Sequence, residues 1–142
     1  MVYVDTSVIV ALLTAEPGTS KVTEWYTAQN ESPTCSDWLL TEFSSAVSVK
    51  VRTKQMSEAA AKSVRQEFSL LAAGGLRVVT VSRAAFVHAA KMTEAHQHGL
   101  RAGDALHLAV AIELGATEMA TLDTRLAKNA KRLGLALSLI LT

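Results

Sequence analysis

The sequence predicts an α/β protein: three layers, α/β/α, around a central parallel sheet of about five strands. Three observations carry that prediction. Short runs rich in Val, Leu, Met and Tyr alternate with stretches of helical period along the chain, the pattern of successive βαβ units. The apolar runs end in Asp, Ser or Thr, which start helices. The 142 residues are 49% hydrophobic, enough for a core on both faces of a sheet. One domain spanning residues 1–142 is expected.

The elements follow in order. Residues 2–4 suit a strand, and Asp5-Thr6-Ser7 offers a carboxylate followed by two N-cap residues, so residues 8–13 can be helical. Pro17-Gly18 breaks the chain before a helix at 19–29. A short strand at 34–36 leads into a strong helix at 37–50, where Leu39, Phe43, Ala46 and Lys50 share one face and Trp38, Glu42, Ser45 and Val49 the next. Glu42 therefore borders the apolar stripe. A helix at 57–73 ends at Gly74-Gly75, and residues 76–81, LRVVTV, form the clearest internal strand. Ser82 caps a helix at 83–98 that ends at Gly99. Gly103-Asp104 opens a very apolar helix to residue 114, and residues 119–122 form a buried strand that delivers Asp123. A helix at 124–133 and a strand at 135–141 complete about seven helices and about five strands.

Composition narrows the function. Net charge is +1, so no global basic field announces nucleic acid, and any such binding must use a local patch. No apolar run approaches the ~20 residues of a membrane helix. The N-terminus lacks the positive region of a signal peptide. The single cysteine, Cys35, excludes an internal disulfide and fits a reducing, cytoplasmic compartment; it reads as a small buried hydrophobe. Membrane attachment is not expected.

Chemistry concentrates in the acids. Asp5 and Asp123 each follow an apolar strand and precede a helix, so a parallel sheet brings both to one edge, where α/β proteins bind ligands. Asp104 leads the most apolar helix, and Glu42 borders a second buried one. Carboxylates crowded into one pocket repel, and hard cations such as Mg²⁺ or Mn²⁺ resolve that repulsion. The four histidines, at 88, 96, 98 and 107, form no zinc-type spacing.

The stretches VDTSVIVALL, LLTEFSSAV, RAGDALHLAVAIELGA and TLDTRLAKNAKRLGL resemble, in the family's order and spacing, PIN-domain ribonucleases. The likeness is closest to the VapC-type toxins of bacterial toxin–antitoxin pairs and runs nearly end to end. The resemblance implies a PIN-like fold and a metal-dependent endoribonuclease. It implies that Asp5, Glu42, Asp104 and Asp123 are the catalytic acids, with Asp5, Asp104 and Asp123 holding Mg²⁺ or Mn²⁺ and Thr6 the hydroxyl beside the first acid. It further implies an RNA substrate, a cognate antitoxin in heterocomplex, and a homodimer.

Other residues divide more evenly. Arg125, Lys128 and Arg132 recur at helical spacing after Asp123 and can hold RNA phosphates; a solvated face is the competing reading. Lys50, Arg52 and Lys54 suit a helix C-terminus. His107, three residues after Asp104, can face the pocket, but a satisfied helix residue is the default. Trp25, Trp38 and Phe43 read as core or interface. Two other functions compete: a receiver-like Mg²⁺-binding signalling module and a non-catalytic partner-binding domain. A receiver should carry an acidic pair after its first strand and an acid after its third; here there is one acid, and the internal strand ends at Ser82.

Overall fold

A computed structural model of the chain describes residues 1–139. Five strands alternate with seven α-helices: β1 (Val2–Val4), α1 (Thr6–Leu13), α2 (Thr19–Thr27), β2 (Thr34–Ser36), α3 (Asp37–Arg52), α4 (Glu58–Leu70), β3 (Arg77–Val79), α5 (Arg83–Glu94), α6 (Ala102–Glu113), β4 (Glu118–Ala120), α7 (Thr124–Arg132) and β5 (Ala136–Leu137). All four strand pairings are parallel, in the order β3-β2-β1-β4-β5. Tyr3 stands opposite Thr34 on one side and Met119 on the other. Among the described residues no helix is long and apolar enough to cross a membrane.

Strand alternation divides the core. Val4, Cys35 and Ala120 point to one face, where Val8, Ile9, Val22, Leu39, Phe43 and Val64 of α1–α4 cover them. Tyr3 and Met119 point to the other, under Ala85, Leu108, Leu126 and their neighbours from α5–α7. Both faces are thus roofed by helices, as a parallel sheet requires. Burial pushes the Cys35 thiol up to about 12, with Asp37 adding to it, which fits a packing residue and not a nucleophile.

The topology also locates the functional edge. The chain steps outward from β1 to β2 to β3, then returns across the sheet to place β4 on the other side of β1. The order reverses between β1 and β4, and the crevice beyond the carboxyl ends of those strands is the ligand position in such sheets.

Several element boundaries differ from the sequence reading. Helix α1 starts at Thr6, because Asp5 itself is the N-cap and accepts from the Val8 N–H; Thr6 and Ser7 are free for other bonds. The helix expected over 83–98 stops at Glu94 and gives way to a 3₁₀ turn, His96–His98, with Gly99 at φ 66°. Tertiary bonds explain the break: Asn129 donates to the His98 carbonyl and Arg125 to that of Gly99. Helix α4 ends at Leu70 in a wider π turn, Leu71–Gly75, where the Tyr26 hydroxyl donates to the Gly75 carbonyl. The strand expected over 76–81 pairs only at Arg77–Val79, since its partner β2 is equally short. The strand expected over 135–141 pairs at Ala136–Leu137, and residues 140 and 141 lie outside the described residues.

Candidate metal and nuclease site

Asp5 occupies the end of the central strand. Its backbone N–H donates to the Ala120 carbonyl, extending the β1–β4 ladder by one bond. The side chain is 4% exposed. One carboxylate oxygen accepts from Ser7 Oγ at 2.6 Å and the Val8 N–H at 3.4 Å; the other accepts from Thr121 Oγ1 at 2.7 Å. Burial raises its pKa, and His107, Ser7, Thr121 and Val8 oppose the rise in that order. Asp5 is therefore both a helix cap and a buried charge held in one orientation.

Glu42 reaches the same place from α3. Its Oε1 accepts from Thr6 Oγ1 at 2.7 Å and contacts His107 Nε2 at 2.5 Å. Burial pushes its pKa up, but the hydrogen bond and charge of His107, with help from Thr6 and Trp38, outweigh burial and hold it below the ordinary value. The Trp38 indole nitrogen is buried beside this carboxylate without a hydrogen bond of good geometry. Gly103 lets α6 approach so closely: a Cβ there would stand 3.0 Å from Glu42 Oε2 and 3.3 Å from Trp38 Nε1.

Asp104 and Asp123 complete the ring of acids. Asp104 lies in the first turn of α6, where a negative charge meets the positive end of the helix dipole. Burial raises its pKa, followed by the charges of Asp123, Asp5 and Glu42, while His107 lowers it. Each of the other three acids thus contributes to its field, which is the electrostatic sign of a shared pocket. Asp123 caps α7, accepting from the Leu126 N–H at 2.9 Å, and its side chain is exposed. Its own N–H donates to Thr121 Oγ1 at 3.0 Å, so one threonine links Asp5 to Asp123.

The residues suit a hard divalent cation by chemistry. Asp5, Asp104 and Asp123 offer only oxygen. The ion pairs Lys50–Glu16 and His107–Glu42 involve none of those three acids. No three His, Cys, Asp or Glu side chains among the described residues already converge on one point. A shared ion would therefore draw side chains together, with the exposed Asp123 giving up or sharing its cap bond from Leu126.

Beside the acids lie two depressions. One, of about 690 Å³, runs between α1 and α3 and includes Thr6, Ser7, Trp38, Glu42 and Leu122. The other, of about 480 Å³, includes His98, Gly99, Arg125, Lys128 and Arg132. The three basic residues expected to meet phosphates thus share one cleft along the length of α7. Arg125 is steadied by the Gly99 carbonyl at 3.3 Å and Arg132 by Asn129 Oδ1 at 2.9 Å.

Sequence reasoning put Asp5 and Asp123 at one edge of the sheet, with Asp104 and Glu42 on helices bordering the core, but understated their supports. Thr6 does not cap α1; its hydroxyl serves Glu42. Ser7 and Thr121 orient Asp5, and Ser7 also accepts from the Leu122 N–H. His107, given a default reading as an ordinary helix residue, is 2% exposed and bonded to Glu42. The available signal was its spacing of three from Asp104, which places both on adjoining parts of one helix face.

Comparison with known proteins bears on this arrangement. A family model described as the PIN domain matches residues 2–132. No curated protein matches the sequence. Among solved structures, the chain is similar to VapC20 of Mycobacterium tuberculosis, a toxin that cleaves the sarcin–ricin loop, with 18% identity and a TM-score of 0.74 over 91% of this chain and 95% of that one. It is similar to FitAcB from Neisseria gonorrhoeae, with 22% identity and a TM-score of 0.70 over 96% of each. It is also similar to VapBC2 from Rickettsia felis, bound to a fragment of its promoter DNA, with 20% identity and a TM-score of 0.67 over 96% and 97%. At these identities the likeness establishes the fold.

Proposed function

The chain belongs to the PIN-domain family, and from that premise we propose that it is a metal-dependent endoribonuclease, the toxin of a toxin–antitoxin pair. The observation that carries the reading is that Asp104, beside the switch point between β1 and β4, feels the charges of Asp123, Asp5 and Glu42. Divalent ions are a general requirement of the family; Mg²⁺ or Mn²⁺ is the proposal here, held by Asp5, Asp104 and Asp123. When bound, such an ion polarises the phosphate and lowers the pKa of the attacking water.

The protein's own groups do the rest. Asp5 stays fixed because Ser7, Val8 and Thr121 occupy its oxygens, so no reorganisation is needed as charge develops. Glu42 stays ionised under His107 and Thr6 and so can accept a proton from, and orient, the attacking water. Arg125, Lys128 and Arg132 neutralise flanking phosphates. In-line attack by water breaks the P–O3′ bond and leaves a 5′-phosphate and a 3′-hydroxyl. No side-chain nucleophile is required.

A ribonuclease of this kind endangers its own cell, so the reading includes a cognate antitoxin and a toxin homodimer. An antitoxin Arg or Lys among the carboxylates would neutralise them by charge-assisted pairing. The test is purified protein on total RNA with Mn²⁺, with 5′ ends mapped. Discrete new ends bearing 5′-phosphate, lost in EDTA, are expected. Intact RNA, or cleavage that persists in excess EDTA, overturns the proposal.

A further inference from the structure

We propose that His107 is a positioning residue for Glu42, set at the centre of a hydrogen-bonded row that runs Ser36, Tyr3, His107, Glu42, Thr6. This inference rests on the ribonuclease reading of the same pocket and adds a residue to it.

The row crosses the sheet edge from β2 to α1. Tyr3 Oη lies 3.2 Å from Ser36 Oγ and 3.0 Å from His107 Nδ1, and the two rings meet edge to face. His107 Nε2 meets Glu42 Oε1, and Thr6 Oγ1 donates to that same oxygen. Four of the row's members, Tyr3, Ser36, His107 and Glu42, come from β1, β2, α6 and α3 respectively. An ionised carboxylate only accepts, so Nε2 must carry a hydrogen. The Tyr3 hydroxyl then fixes the ring through Nδ1, as the outer partner of a functional histidine does.

A buried histidine that merely fills space would satisfy its nitrogens on backbone carbonyls or on other buried groups. Here the outward nitrogen is spent on the half-buried acid lining the α1–α3 depression. Glu42 Oε2 stands beside Gly103 and the Trp38 indole nitrogen, outside the bonds that His107 and Thr6 make to Oε1. Glu42 has three side-chain torsions, and Thr6 alone would not fix its orientation. With His107 and Thr6 both on Oε1, the other oxygen has one preferred direction.

Two amides separate positioning from packing. His107→Gln can place an N–H near the position of Nε2 and keep the bond to Glu42. His107→Asn is shorter, reaching Tyr3 but not Glu42. Positioning predicts that His107→Asn lowers kcat for RNA cleavage by about 10–100-fold with KM nearly unchanged, and that His107→Gln recovers most of the loss. Tyr3→Phe, which leaves Glu42 its donor but frees the ring, should lower kcat by a smaller factor and serves if either amide variant does not fold. Equal kcat in wild type and His107→Asn, or no recovery in His107→Gln relative to His107→Asn, overturns the proposal, as does Tyr3→Phe at full activity if it must stand in. Nitrogen NMR of the metal-free protein gives a readout independent of cleavage: His107 Nε2 is expected to be protonated, and an unprotonated Nε2 overturns the assignment even in a protein that cleaves nothing. Failure of the wild type to cleave any RNA, with Nε2 protonated, would instead count against the ribonuclease reading.

Discussion

The inner and outer halves of the acidic pocket are built differently. Inside, Asp5 and Glu42 are gripped: hydroxyls of Ser7, Thr121 and Thr6, a backbone N–H and His107 occupy three of their four oxygens. Outside, Asp104 has burial and the charges of Asp123, Asp5 and Glu42 against it, and Asp123 is an exposed helix cap. The inner half resembles a preorganised dipole array, and the outer half a pair of acids with fewer donors to hold them. The difference teaches where stability and activity part company. A gripped acid serves fold and chemistry together, whereas a repelled acid is kept at a cost to the fold.

The largest effect should come from neutralising either kind of acid. Asp5→Asn and Asp104→Asn are each expected to lower RNA cleavage by at least about 10³-fold, roughly 4 kcal/mol of barrier. Glu42→Gln should do likewise, and Asp123→Asn should match them or keep weak activity. Single-turnover cleavage with Mn²⁺ checks the series. Activity surviving in Asp5→Asn would mean that the inner half is structural only.

A smaller effect tests the basic cleft. Arg125→Ala and Lys128→Ala should each weaken RNA binding several-fold and reduce the slope of log affinity against log salt by about 0.7–1 for each phosphate no longer neutralised. The readout is binding of a labelled RNA to the Asp104→Asn protein across a salt series. An unchanged slope would return these residues to a solvated face.

The smallest effect is a pH dependence of stability without metal. Asp5 and Asp104 have pKa values raised above the ordinary 3.8, by burial first. The folded state therefore binds protons more tightly than the unfolded one, and each group lowers stability as pH rises from that value through its folded pKa. Glu42 has the opposite sign: its lowered pKa adds stability above the ordinary value of 4.5, and that gain is lost as pH falls through its folded pKa. Melts in EDTA should thus show Tm falling as pH rises above about 4 where the raised pair dominates, and Asp104→Asn should flatten the fall. An equally steep fall in the mutant would locate the repulsion elsewhere.

Much of this was legible in the sequence. Asp5 and Asp123 could be placed at one edge because each sits between an apolar strand and a helix, and parallel strands have only one carboxyl edge. Glu42 could be placed by its position beside Leu39 and Phe43, which are fully buried. The supports were not legible, because they are set by tertiary pairing. Thr121 meets Asp5 across 116 residues and His107 meets Tyr3 across 104, and no local period encodes either. The early end of α5 was hidden for the same reason: Asn129 and Arg125 hold the turn from another helix. Trp38 borders Glu42 as helical spacing implies, yet its unbonded indole could only be seen once Gly103 was beside it.

The central claim is that the outer acids are metal ligands held in mutual repulsion. Thermal melts of wild type and Asp104→Asn, each in EDTA and in Mn²⁺, test it most directly. Mn²⁺ that binds only the folded cluster should raise the wild-type Tm in step with its concentration. In EDTA, Asp104→Asn should melt higher than wild type, by about 0.5–2 kcal/mol of relieved repulsion, and its response to Mn²⁺ should shrink. A mutant that melts lower than wild type in EDTA and responds to Mn²⁺ undiminished would make Asp104 a helix-end residue and not a ligand.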